Sequence, residues 1–87
     1  LDLGGREQLV TALAELASDS RSPAMVLVTH HLEEIPPGFT HAALLRGGAI
    51  TAQGPLDRTL TDEAVSAAFG LPLTVRRGGG RWGAVAA

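Results

Sequence analysis

Ala24-Met25-Val26-Leu27-Val28-Thr29-His30-His31 is the stretch that decides how this chain is read. Residues 24 to 29 run apolar with no alternation, which fits a strand covered on both faces, as in a parallel sheet. The segment before it predicts a helix over 5–18. Leu9, Val10, Leu13, Leu16 and Ala17 recur at three-to-four spacing, and Glu7, Gln8, Thr11 and Glu15 fall mostly on the other side. Asp2 or Gly4 is placed to cap its start, and Asp19-Ser20-Arg21-Ser22-Pro23 stops it. A helix that leads into a buried strand is half of a βαβ unit, and the strand before it would lie upstream of Leu1. The class expected is α/β.

Downstream of the two histidines, Leu32, Glu33 and Glu34 form a short helix that Pro36-Pro37-Gly38 ends. Residues 41 to 46 read as a second strand. Gly47-Gly48 is a two-residue hairpin turn, and Ala49 to Gln53 pair back. Thr61 is a good helix N-cap with Asp62 and Glu63 in the first turn, and Gly70 follows Phe69 where a left-handed residue belongs. Leu71, Leu73 and Val75 then alternate with polar or turn residues, and Gly78-Gly79-Gly80 leads into 81–85. This predicts a small terminal hairpin. The order expected is helix, strand, short helix, hairpin, helix, terminal hairpin.

Composition narrows the function classes. At 87 residues this is at most one small domain with a thin core. Fourteen residues are Ala, and Leu, Ile, Val and Phe together make only 23, enough for a globular fold but not a rich one. There is no Cys, hence no disulfide scaffold and no thiolate chemistry. No stretch approaches a membrane span, and no signal peptide is expected from these residues. The net charge of −2, with no basic run, gives no electrostatic case for nucleic acid. The only Met is Met25, inside the apolar run, so the chain reads as a piece of something longer.

In open α/β sheets, ligands sit beyond the carboxyl ends of the strands, which is where His30 and His31 fall. A histidine there can donate to a phosphate or hold a water, because its ring titrates near neutrality. The plainer alternative is a capping or solvated residue. His30, His31, Glu33, Glu34 and His41 also lie close enough in sequence to suggest a metal site. Zinc needs three or four converging ligands, and Pro36-Pro37-Gly38 works against bringing His41 in. Glu33-Glu34 reads more simply as a solvated helix face, Trp82 as the packing anchor of the terminal hairpin, and Gly78-Gly79-Gly80 as its turn. No metal ligand is assigned.

The ordered set of features resembles the end of an ABC-type ATPase domain. Leu1-Asp2 resembles the close of the D-loop, about 22 residues with a helix follow, and an apolar strand ends in Thr29-His30. The segment Leu45-Arg46-Gly47-Gly48-Ala49-Ile50-Thr51-Ala52-Gln53-Gly54-Pro55 matches that family's usual Leu-x-x-Gly-x-(Ile/Val)-x-x-x-Gly-(Pro/Thr). The stretch from His30 to Pro37, with Phe39-Thr40-His41, looks like a subgroup of stand-alone ABC transporter ATP-binding proteins. The resemblance covers residues 1–70. It implies a C-terminal fragment of a P-loop NTPase domain, with residues 71–87 a short C-terminal extension.

The resemblance implies that His30 is the switch histidine, catalytic and in contact with the γ-phosphate and the attacking water. Asp2 would be the D-loop aspartate, counted with His30 among the nucleotide-binding residues. A plain helix N-cap is the competing role for Asp2. His31 departs from the Asp often found after the switch histidine and is not assigned to catalysis. Phosphoryl transfer is mainly positioning and charge stabilisation, which a strand-end histidine can supply. No Gly-x-x-x-x-Gly-Lys-(Ser/Thr) loop is present, and the chain has no Lys at all. The Walker B carboxylates and signature motif would lie upstream. ATP and Mg2+ are therefore expected in the parent and no cofactor in the isolated piece, which should be inactive alone. Expected partners are a second ATP-binding subunit and a membrane permease, with no nucleic acid. The expected location is the cytoplasm, peripheral to the inner face of the membrane. Two rival readings are a non-catalytic interaction module that self-associates through an exposed sheet edge, and a His/Glu metal-binding protein.

Overall fold

A computed structural model describes residues 2–87. The chain divides into two compact units, one made of the residues up to Phe39 with Arg77–Gly83, the other of Thr40–Arg76 with Ala84–Ala87.

In the first unit, helix α1 spans Leu3–Ser18. Asp2 caps it: its backbone is extended and its carboxylate accepts from Gly5 N–H at 2.7 Å. This satisfies one of the donors that the first helical turn leaves unpaired. At the other end Asp19 is the C-cap, and its carboxylate takes the backbone N–H of Arg21 at 2.9 Å together with that residue's guanidinium. Of the helix, only Val10 is fully buried. Leu32 and Pro36 are buried in the same unit, as is Trp82, with the Arg77 guanidinium 4.7 Å from its ring centroid. That stacking agrees with reading Trp82 as a packing anchor. Leu32–Glu34 form a single 3-10 turn where the short helix was expected.

The expected strand over 24–29 is not formed. These residues belong to no sheet, and exposure alternates along them. Val26 is 90% and Val28 89% exposed, whereas Met25, Leu27 and Thr29 are half-buried. The physical reason is hydrogen bonding. A strand exists only as part of a ladder, and among the described residues the two sheets are the hairpins within 41–55 and 73–86, neither of which takes up 24–29.

In the second unit, β1 (His41–Arg46) and β2 (Ala49–Pro55) pair antiparallel around Gly47-Gly48, whose φ values of 59° and 78° suit the tight turn that the two glycines predict. The pairing is regular from His41↔Pro55 to Leu44↔Ala52, then shifts so that Leu45 faces Ile50. Thr51 is thus an extra residue, a bulge, and its hydroxyl donates to Leu44 C=O at 3.3 Å. A four-residue helix, α2 (Leu56–Thr59), follows, which sequence spacing did not predict. Helix α3 (Asp62–Phe69) begins at Thr61, whose hydroxyl accepts from Ala64 N–H at 3.1 Å, and ends at Gly70 in the left-handed region. Leu44, Thr59, Leu60 and Val65 are the buried residues here, with Val65 fully enclosed.

β3 (Leu73–Gly78) and β4 (Arg81–Ala86) form the terminal hairpin, turning at Gly79-Gly80. Ser66 holds the start of β3 in both directions: its hydroxyl accepts from Leu73 N–H at 2.9 Å and donates to Leu73 C=O at 3.2 Å. Asp62 accepts from Val75 N–H at 2.8 Å.

Candidate functional site

His30 sits at a bend immediately after the extended apolar run, and its side chain is exposed. The backbone around it is held by its neighbours. Thr29 Oγ1 accepts from His31 N–H at 3.0 Å and donates to Glu34 Oε1. The other oxygen of that carboxylate, Oε2, lies 3.5 Å from Arg6 Nε, an ion pair rather than a hydrogen bond. The Thr29 hydroxyl holds the Glu34 carboxyl below its ordinary range, with His31 and Arg6 adding smaller contributions in the same direction against some desolvation.

Glu34 is therefore no solvated residue. The Glu33-Glu34 pair does not behave as the free helix face that its sequence suggests, because the 3-10 turn points Glu34 back at Thr29. The signal available in the sequence was only that a Thr and a Glu flank a two-histidine turn. The contribution of Arg6, more than twenty positions upstream, had no signal at all.

A second ionic group lies in the same unit. Arg81 donates to Glu7 Oε1 at 2.7 Å and Oε2 at 2.9 Å, and its Nη2 also donates to the Glu33 carbonyl. The hydrogen bonds of Arg81 hold the Glu7 carboxyl below its ordinary range.

Asp2, the other expected site residue, is exposed and acts as the α1 N-cap, the local role that competes with a D-loop function. Of its carboxylate, Oδ1 accepts the Gly5 N–H. A concavity of the first unit runs along α1, lined by Val10, Ala14, Glu15, Pro37 and Arg81 among others. It includes neither Asp2 nor His30. Among the described residues, no three His, Asp or Glu side chains come together as a metal would require. None of the helices among them is long and apolar enough to cross a membrane.

No protein-family model matches the chain. Known proteins do. The chain is 39% identical over 75 residues to the uncharacterized ABC transporter ATP-binding protein YlmA of Bacillus subtilis, covering 86% of this chain and 28% of that protein. It is 36% identical over 75 residues to a putative ABC transporter ATP-binding protein of Streptococcus mutans, covering 86% of this chain and 29% of that one. It is 30% identical over 66 residues to the uncharacterized ABC transporter ATP-binding protein YmeB of Lactococcus lactis, covering 76% of this chain and 26% of that one. The chain thus spans a little over a quarter of the length of the relatives it matches. Over the stretch that these matches cover, the chain belongs to the ABC transporter ATP-binding proteins.

Proposed function

We propose that these residues are the C-terminal part of an ABC-type ATPase domain, from the end of the D-loop at Asp2 through a switch histidine at His30, with 71–87 as a short extension. The observation that carries this reading is the exposed His30 at the end of an apolar extended segment, in a chain whose relatives are ATP-binding proteins. Other parts of the full-length protein would hold ATP and Mg2+, because neither a phosphate loop nor any Lys occurs here. His30 would meet the γ-phosphate and the attacking water as charge develops. Asp2 would lie where two ATP-binding subunits face each other. The ATPase would drive a membrane permease from the cytoplasmic side.

The test is His30→Ala in the full-length protein. Hydrolysis should fall by about 2–4 kcal/mol of transition-state stabilisation, the scale for one preorganised donor. Nucleotide affinity should stay within a few-fold of native, because the phosphate loop dominates binding. Wild-type hydrolysis by the variant would remove His30 from the switch role. The 87-residue chain alone should neither turn over ATP nor bind it tightly, and turnover well above background would contradict the reading.

A second reading concerns this chain by itself. The exposed Val26 and Val28, on a segment with no ladder partner, favour self-association through that edge.

A further inference from the structure

Three residues that the proposed function leaves unused converge on the turn at His30. Thr29 comes just before the histidine and His31 just after it, and a single hydroxyl, Thr29 Oγ1, ties the two together by accepting the His31 N–H at 3.0 Å. The same hydroxyl spends its proton on Glu34 Oε1. A hydroxyl that donates and accepts at once cannot rotate without breaking one of its bonds. Glu34 is held in turn by Arg6, and the two side chains are only 16% and 22% exposed, so solvent competes weakly for them. Arg6 belongs to the first turn of α1, and its N–H donates to Asp2 C=O at 2.9 Å.

We propose that Thr29 and Glu34 are positioning residues that fix the backbone on both sides of His30, and that Arg6 links this turn to the helix that Asp2 caps. Its catalytic consequence rests on the reading of His30 given above, whereas the fixing of the turn does not. The chemistry is support at one remove. An imidazole that must meet a phosphate oxygen gains from a backbone that cannot drift, and the relay supplies that without touching the nucleotide. It would also let a displacement at Asp2 reach His30 through one side-chain chain, Arg6 to Glu34 to Thr29.

The experiment compares Thr29→Val, Thr29→Ser, Glu34→Ala, Arg6→Met and His30→Ala in the full-length ATPase. It reads amide hydrogen exchange in the peptide that contains His31, together with kcat and KM for ATP. Thr29→Val and Glu34→Ala should raise exchange and lower kcat, each about tenfold, the scale of one lost hydrogen bond, with KM within about twofold. Thr29→Ser keeps the hydroxyl and should restore both readouts. Arg6→Met should give a smaller change of the same sign, and unchanged exchange would remove Arg6 from the relay. Unaltered exchange in Thr29→Val and Glu34→Ala overturns the proposal, whatever His30 does. Raised exchange with wild-type kcat, in a protein that His30→Ala inactivates, overturns the positioning role while the switch reading stands. Raised exchange in a protein whose hydrolysis survives His30→Ala upholds the fixing of the turn and removes the switch reading.

Discussion

Arg81 and Glu7, 74 positions apart in sequence, meet fork to fork: both ends of the guanidinium donate to both carboxylate oxygens, at 2.7 and 2.9 Å. The pair joins the tip of the terminal hairpin to α1 within one unit, and the bond from the same guanidinium to the Glu33 carbonyl brings in the 3-10 turn. A planar fork suits this geometry as no lysine could, which gives one of the seven arginines a specific structural task.

The two ionic groups set a pH dependence. Glu7 and Glu34 are both held below the ordinary carboxylate range, mainly by hydrogen bonds from Arg81 and Thr29. A depressed folded-state value contributes stability that is fully present above the unfolded value, near about pH 4.3, and is lost as pH falls through the folded one. The thermal midpoint should therefore drop on acidification below that point. It should drop less in Glu7→Gln/Glu34→Gln, with a residue of the slope left by Asp19, whose carboxyl Arg21 also holds low. An acid limb of unchanged steepness in the double variant would count against this account.

Gly70→Ala should destabilise the second unit by about 1 kcal/mol or somewhat more. The position has φ 78°, where an L side chain is strained, and a Cβ there would lie 2.8 Å from Arg46 Nη1. Arg46 is exposed and can move aside, at the cost of the bond that the same nitrogen donates to Ala67 C=O at 2.6 Å. Chemical denaturation should show the loss, and adding Arg46→Ala should recover only the steric part of it.

Val65→Ala empties a fully enclosed site and should cost about 2–3 kcal/mol, combining lost transfer energy with a residual cavity. Thr61→Ala, at the N-cap of the same helix, should cost about 1 kcal/mol. Urea midpoints of the two variants should rank in that order, and a Thr61→Ser variant should lie close to native.

Val26 and Val28 should make the isolated chain associate. Each exposes a large apolar side chain that burial would stabilise by roughly 1.5–3 kcal/mol, on a backbone with no ladder partner. Light scattering across micromolar concentrations should show a dimer or larger species, and Val26→Ser/Val28→Ser should move it toward monomer. A monomer throughout for the native chain would dismiss the idea.

Much of this was legible in the sequence. The cap at Thr61, the glycine after Phe69 and the Gly47-Gly48 turn are local chemistry, and the structure follows them closely. Residues 24–29 show the limit. Their pattern describes an environment on both faces, and the described residues supply no strand to provide it. Helix α2 went unseen because a four-residue helix has no period to detect. At the candidate site, His30 stood out by position and resemblance. The contact of Thr29 with Glu34 depends on how an irregular turn folds, and that of Glu34 with Arg6 joins residues far apart in the chain, neither of which spacing encodes.

The unpaired Thr51 has a consequence for solubility. Leu45 and Ile50 face each other beside it, both exposed, on a hairpin whose outer edges no strand covers among the described residues. Fibrils grow where flat strands of many copies stack in register with matching apolar rows. A one-residue bulge two pairs from the turn interrupts that row, and bulges strengthen local twist, so a second hairpin laid against it is harder to keep in registry. The residue that contributes least to the ladder thus works against in-register stacking of copies, and deleting Thr51 should even out the pairing and raise the hairpin's tendency to stack.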